Sequence, residues 1–168
     1  MPTHAYTLCF LHDVTAAAVL LMQRNADRAD MPGVLNGLGG KFLPGEDILT
    51  AAMREIREES GLVPEDLEFR GTESWICTRP DRSERDRGTL FLCTATRWTG
   101  TLQRTCAEGS LAWHPYPGVL TNSRLAPNLA TILPKLLEQI ESRYAGVAHY
   151  LEATPGTHEL LSHGFQVW

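Results

Sequence analysis

Apolar positions along the chain switch between two periods, and the switch divides it into strands and helices. Residues 6–11 (YTLCFL) and 17–22 (AAVLLM) are short apolar runs with aromatic and β-branched content, separated by a polar turn at 12–15. They are expected to pair as a hairpin. Residues 25–33 (NADRADMPG) are polar and end in Pro32-Gly33, which predicts a loop. Gly37, Gly39 and Gly40 then crowd into VLNGLGGKF, a composition that suits a bulged strand, close approach of the backbone to a ligand, or both.

The period changes at residue 48. Ile48, Leu49, Ala52, Met53 and Ile56 recur at helical spacing and predict a core-facing stripe. Asp47 stands at the N-cap position and Gly61 where a left-handed C-cap belongs, so the helix is expected to span residues 48–60. Beyond it, residues 67–78 read as a strand with Gly71 as a bulge, residues 79–88 (RPDRSERDRG) as a charged tip, and residues 89–97 as the returning strand. Thr99-Gly100 predicts a turn and residues 112–114 a short strand. A second helix is predicted over 131–142, with Pro134 in its first turn, where the missing N–H costs nothing. Strands alternating with two helices indicate an α/β sandwich, a mixed sheet lying between the helices.

At 168 residues and 43 % hydrophobic content, the chain suits one globular domain. The N-terminus lacks the basic and apolar regions of a signal peptide, and no run reaches membrane-span length, so the expectation is a cytoplasmic protein with no membrane association. Cys9, Cys77, Cys93 and Cys106 form no CxxC pair and read as reduced core thiols. A formal net charge of −5 argues against nucleic acid as a partner, since that requires clustered cations. A small phosphorylated ligand remains compatible, because divalent cations neutralise phosphate locally.

The first helix carries its own chemistry. Glu55, Glu58 and Glu59 sit at i, i+3, i+4, side by side on one arc where like charges repel. Arg54 and Arg57 screen such a face if it is merely solvated; otherwise it is a site for a hard cation such as Mg²⁺, which takes oxygen ligands and shares them with phosphates. The spacing extends upstream: Gly40, Glu46, Arg54, Glu55, Ile56, Glu58, Glu59, Gly61 and Leu62 fill G-x5-E-x7-R-E-U-x-E-E-x-G-U, with U aliphatic. Nine specified positions in 23 residues, in a loop-then-helix context, resemble the box of the Nudix (MutT-type) hydrolases.

That resemblance implies a Nudix-type α/β/α sandwich that hydrolyses a nucleoside diphosphate linked to a further group X. It assigns metal ligation to Glu55, Glu58, Glu59 and the Gly39 carbonyl, orientation of those carboxylates to Arg54, and loop anchoring to Glu46. The implied cofactor is Mg²⁺, with Mn²⁺ as the alternative cation. Glu55, Glu58 and Glu108 are the candidates to accept the proton of the attacking water.

Residues outside the box choose X. Tyr6-Thr7-Leu8, residues 36–41 (NGLGGK), and Glu108 five positions before Trp113 are similar to the branch that cleaves oxidised purine nucleoside triphosphates such as 8-oxo-dGTP. The resemblance implies Thr7, Asn36, Lys41, Trp75 and Asn128 as substrate-binding residues, and Glu108 as a late metal-site carboxylate. An amide such as Asn36 offers one acceptor and two donors to a purine edge, although it equally suits a turn before Gly37. An indole such as Trp75 stacks on a base for about 1–3 kcal/mol, and equally suits a core. The chain departs from the branch at Leu125-Ala126-Pro127-Asn128, where the branch's tryptophan and paired acids are replaced.

The resemblance covers residues 5–140. Residues 1–145 are therefore read as the Nudix domain and 146–168 as a C-terminal extension packing Leu160, Leu161, Phe165 and Trp168 on the domain or on a partner subunit, in a monomer or homodimer. His149, His158 and His163 in the extension match no strong metal-ligand spacing. The functional expectation is a nucleoside triphosphate pyrophosphohydrolase yielding nucleoside monophosphate and pyrophosphate. The alternatives are a Nudix hydrolase of a nucleotide sugar or dinucleoside polyphosphate, and a non-catalytic Nudix ligand-sensing module.

Overall fold

A computed structural model describes residues 3–167. Strands β1 (His4–Asp13), β2 (Ala18–Arg24), β3 (Leu35–Asn36), β5 (Glu68–Thr78), β6 (Glu84–Ala95), β8 (Gly109–Pro115), β9 (Tyr144–Leu151) and β10 (Glu159–Val167) form one mixed sheet. Its order is β10-β9-β5-β6-β1-β2-β3, with β8 also on β2; β1 runs parallel to β6 and β5 parallel to β9. The helices α1 (Ile48–Ser60) and α2 (Leu129–Leu137) cover opposite faces, and a small ribbon of β4 (Leu62–Pro64) and β7 (Trp98–Gly100) lies apart.

Central strands are apolar at consecutive positions because both of their faces are buried. Leu8, Phe10, Val19 and Leu21 pack with Leu129, Ile132 and Leu133 of α2, while Cys9, Leu11, Leu20 and Met22 pack with Ala52 and Ile56 of α1. The fold is thus the α/β sandwich with a mixed sheet that the pattern predicts. Cys9, Cys77 and Cys93 are buried free thiols.

Several local expectations shift. The hairpin of β1 and β2 pairs only through His12–Val19 and Asp13–Ala18 before the strands part, β1 joining β6 and β2 joining β8. The charged segment 79–88 is a tip only as far as Ser83; residues from Glu84 onward continue β6, because one side of that strand faces solvent and tolerates charge. Thr99 and Gly100 are in β7 rather than a turn, paired with Val63 and Leu62. Gly71 is the bulge of β5, at φ 136, where a Cβ would meet the Tyr144 carbonyl at 1.8 Å.

Helix α2 begins at Leu129, two residues earlier than expected and ending at Leu137, so Pro134 falls in its second turn. The first turn is set by Asn128, whose carbonyl accepts from Thr131 and Ile132. At the other end the buried Arg70 guanidinium donates to the carbonyls of Leu136, Gln139 and Ser142, filling acceptors that a helix terminus leaves open.

The C-terminal segment is two strands. β9 lies in register along all of β5 from Gly71 to Thr78, and β10 forms the sheet edge with a bulge between Leu160 and Ser162. The loop between them docks on the segment 25–33: Met31 donates its N–H to the Gly156 carbonyl. Leu160 packs on the domain, Leu161 and Phe165 are largely exposed, and Trp168 lies outside the described residues.

Candidate active site

Helix α1 is bounded as its sequence dictates. Asp47 accepts from the Thr50 N–H at 2.9 Å, and Gly61 closes the helix at φ 72 by donating to the Arg57 carbonyl. Its buried face, however, is Ala51, Ala52, Ile56, Glu59 and Ser60, rotated from the predicted stripe. Leu49 is 44 % exposed and lines, with Met53, Arg54, Arg57 and Glu58, an open groove on the outer surface. Two contacts turn the helix: the Gly39 N–H donates to Glu59 Oε2 at 2.9 Å, and Ser60 Oγ accepts from the Leu62 N–H.

The glycine segment fixes the opposite wall. Thr7 and Cys9 of β1 donate their N–H groups to the carbonyls of Gly40 and Leu38. This seats the segment so closely that a Cβ on Gly39, at φ 138, would lie 2.2 Å from the Thr7 carbonyl. A Cβ on Gly40 would lie 2.5 Å from Glu55 Oε1. Gly39 is therefore demanded by the approach of the strand backbone, whereas a Cβ on Gly40 would displace the Glu55 carboxylate from its place.

Arg54 ties the pieces together. Its Nε and Nη2 donate to the two oxygens of Glu46 at 2.6 and 3.0 Å, its Nη1 to Glu55 at 2.7 Å and Glu58 at 3.2 Å, and its Nη2 also to the Lys41 carbonyl. Glu46 additionally accepts from the Leu43 N–H, and with Arg54 beside it its carboxyl is held down to about 2. A forked guanidinium contacting three carboxylates offsets the repulsion that their spacing creates.

Glu59 differs from the other two. It is 6 % exposed, and burial, reinforced by the charges of Glu55 and Glu108, pushes its carboxyl up to about 8 against the Gly39 hydrogen bond and the charge of Arg24. Glu108 is half-exposed, lies near enough for its charge to reach Glu59, and is held by Arg24 at 3.8 Å and Arg28 at 3.4 Å. Arg24, the last residue of β2, and Arg28, in the polar loop, carried no sequence signal of this contact.

Among the described residues no three acidic, His or Cys side chains converge as a closed metal cage; Arg54 and the Gly39 N–H occupy the carboxylates instead. The donors nevertheless fit a hard divalent cation. They are oxygens throughout, the Gly40 cradle leaves Glu55 free of a neighbouring Cβ, and a cation relieves the cost of an ionised, buried Glu59.

The sequence-predicted substrate residues are dispersed around this wall. Thr7 is buried against Gly40, and Lys41 sets its ammonium 5.9 Å from the Tyr6 ring centroid. Asn36 is half-buried at the end of β3, paired with Met22, its Oδ1 accepting from the Gly37 N–H; it is a strand residue and not the turn residue that its place before Gly37 also suited. Trp75 is half-buried and packs on Cys77, Ala148 and Tyr150. Asn128 is buried on the α2 side, where its Nδ2 donates to Glu73 Oε1 at 2.6 Å. Glu73 and Tyr144 around it were not singled out from sequence, and His163 was weighed only as a metal ligand; the available signal was an acidic residue on the inward parity of β5, level with Trp75 and Cys77.

Comparison with known proteins matches this geometry. Residues 2–136 fit the model of the NUDIX domain. The fold superimposes on a mutator MutT protein from Bacillus halodurans with a TM-score of 0.79 at 27 % identity, covering 97 % of each chain. The NUDIX domain of Shewanella oneidensis NrtR, solved with ADP ribose, gives 0.65 at 20 % identity over 83 % of this chain and 90 % of that one. A bifunctional NMN adenylyltransferase/ADP ribose pyrophosphatase from Francisella tularensis gives 0.60 at 20 % identity, over 82 % of this chain and 41 % of that one. With the box, the sheet between two helices and the Arg54-bound carboxylates in one arrangement, the chain belongs to the NUDIX domain family and is a Nudix hydrolase.

Proposed function

We propose that this hydrolase is a Mg²⁺-dependent nucleoside triphosphate pyrophosphohydrolase that favours oxidised purine nucleotides such as 8-oxo-dGTP. Water attacks phosphorus, the P–O bond within the phosphate chain breaks, and nucleoside monophosphate and pyrophosphate leave. The observation that carries the chemistry is the α1 face: Glu55 and Glu58 on the Arg54 fork, with Glu59 buried against Gly39. Glu55, Glu58, Glu59, the Gly39 carbonyl and Glu108 would hold Mg²⁺, or Mn²⁺ in its place. When bound, the cation neutralises charge on the phosphate chain and lowers the pKa of its water. Arg54 fixes the rotamers of Glu55 and Glu58 while itself remaining anchored to Glu46. A carboxylate among Glu55, Glu58 and Glu108 takes the proton released by the attacking water.

For the base, Asn36 and Asn128 supply amides, Trp75 an aromatic face, and Thr7 and Lys41 flank the glycine segment. Support for the purine branch is the NGLGGK segment together with the likeness to the MutT protein of Bacillus halodurans. A second reading, hydrolysis of a diphosphate such as ADP-ribose, is favoured by the two neighbours whose names carry that ligand. Residues 1–145 would act as the Nudix domain and 146–168 as an extension that walls the base side, in a cytoplasmic monomer or homodimer.

The deciding experiment is pyrophosphate and phosphate release with Mg²⁺ over a panel of 8-oxo-dGTP, ordinary dNTPs, ADP-ribose, nucleotide sugars and dinucleoside polyphosphates. Highest kcat/KM for 8-oxo-dGTP with pyrophosphate as product supports the proposal. Preference for ADP-ribose or another X moves the function to the second reading.

A further inference from the structure

The most deeply buried carboxylate among the described residues takes no part in the chemistry above. Glu73 is 0 % exposed on β5, and its oxygens accept from three side chains: Oε1 from Asn128 Nδ2 at 2.6 Å, and Oε2 from Tyr144 Oη at 3.1 Å and His163 Nε2 at 2.6 Å. Tyr144 and His163 are also 2.8 Å apart, and both come from the C-terminal hairpin, on β9 and β10. The phenol is pushed far above its ordinary range by burial and by the charge of Glu73, so it stays a donor. His163 uses Nε2 toward the carboxylate, and its Nδ1 is buried without a hydrogen-bond partner. A neutral ring therefore carries its proton on Nε2, facing Glu73.

From Asn128 it is the NH₂ end that meets Glu73 Oε1, which turns Oδ1 the other way. While that bond holds, the amide is not free to flip and offer a donor on its Oδ1 side. Asn128 sits immediately before α2 in a segment whose backbone is itself fixed, its carbonyl accepting from Thr131 and Ile132.

We propose that Glu73, held by Tyr144 and His163, is a positioning residue that locks the Asn128 amide so that it presents an acceptor, selecting nucleobases that offer an N–H. This rests on the reading of Asn128 as a base-contacting residue. The C-terminal hairpin thereby gains a role in specificity, since the strand that carries His163 completes the shell that orients a residue from another part of the chain. Removing one of the two hairpin donors loosens the carboxylate, and neutralising the carboxylate frees the amide to invert.

The test compares kcat and KM for triphosphates that differ by one donor: guanine against hypoxanthine, and adenine against unsubstituted purine. The wild type is expected to prefer the donor-bearing member of at least one pair by about tenfold or more in kcat/KM, since a site built to hydrogen-bond a group rejects the analogue lacking it. Glu73→Gln and His163→Ala should shrink that preference through KM with kcat little changed, while His163→Gln, whose amide can donate to Glu73, should restore it. In the wild type the Asn128 Nδ2 proton that meets Glu73 should be shifted downfield by that hydrogen bond and protected from exchange with solvent, and both properties should be lost in Glu73→Gln. A preference retained in Glu73→Gln and His163→Ala, with only the melting temperature lowered, overturns the inference. So do Asn128 side-chain protons with the shifts and solvent exchange of an exposed amide in the wild type, a result that needs no variant to fold. If Asn128→Ala keeps the wild-type preference, the base-contact reading falls and takes this inference with it; if Asn128→Ala alone loses it, the reading stands and the positioning role fails.

Discussion

Among the described residues two carboxylates are taken almost wholly out of water, and their surroundings differ in kind. Glu59 on α1 receives one backbone N–H, from Gly39, and is crowded by Glu55 and Glu108. Glu73 on β5 receives three side-chain donors and has no acidic group bonded to it. A buried charge is tolerated when its lone pairs are matched and is otherwise driven toward its neutral form. The hydrogen bonds of Glu73 are complete within the fold, whereas Glu59 is left with one donor and two acidic neighbours. Under the proposed function a cation would complete Glu59, so the comparison separates a residue that organises the fold from one kept costly for ligation.

The contrast predicts its largest effect in turnover. Glu58→Gln and Glu59→Gln should each lower kcat by about 10²-fold or more, the scale on which loss of one transition-state stabilising group is felt, with circular dichroism preserved; the urea midpoint should be unchanged in Glu58→Gln and, in chelator near neutral pH, raised in Glu59→Gln, which no longer takes up a proton on folding. Undiminished turnover with Mg²⁺ in either variant would remove the α1 carboxylates from the mechanism.

Glu73→Ala should reverse that pattern, costing stability first. Asn128, Tyr144 and His163 each lose a partner in a buried setting, for a total of about 3 kcal/mol, read as a lowered urea midpoint with unchanged m. A variant as stable as the wild type would show the cluster to be dispensable.

A smaller effect follows from pH. The Glu59 carboxyl lies at about 8 in the fold against an ordinary value of 4.5, so between those values the metal-free native state binds a proton that the unfolded chain has released. Stability without metal should therefore fall as pH rises from about 4.5 toward 8 and level off above it, by the linkage between proton uptake and unfolding. Mg²⁺ should bind more tightly over the same interval, because it displaces that proton. Denaturation in chelator across this range checks the sign, and in Glu59→Gln the slope contributed by this group should vanish.

The smallest effect belongs to the outer face of α1. Leu49→Ser should change stability by no more than about 0.5 kcal/mol, as expected for an exposed side chain, while Ile56→Ala in the core should cost about 2–5 kcal/mol. Equal costs in thermal unfolding would restore the predicted stripe and contradict the observed rotation of the helix.

That rotation marks where sequence reading ended. The caps of α1, the irregularity of β5 at Gly71 and the apolar runs of β1 and β2 are local consequences of residue type and period, and each was legible; that both faces of those strands are buried was not read from them. The face of α1 was legible in part: Ile48, Ala52 and Ile56 pack in the core as predicted, but Leu49 and Met53 line the outer groove while Ala51 and Ser60 are buried, and period alone does not select between overlapping stripes. Helix α2 starts at Leu129 for a similar reason: Pro134 argues for a late start, but the Asn128 carbonyl and the packing of Leu129 carry the helix two residues further back. The charged residues of β6 show no alternation from which to read a strand, and pairing with β5 supplies what their propensity lacks.

By itself the sequence determined the family, the α/β class, the bounds of α1 and the grouping of Glu55, Glu58 and Glu59, because a fixed spacing on a helix fixes neighbours within a turn. The tertiary structure alone decided that the Arg54 expected to orient the helix carboxylates is itself anchored on Glu46, that Glu59 is the buried member, and that Glu73 meets Asn128, Tyr144 and His163. Those contacts join residues up to 90 positions apart, through strands β5, β9 and β10, and no periodicity within a segment records which strand will lie beside which.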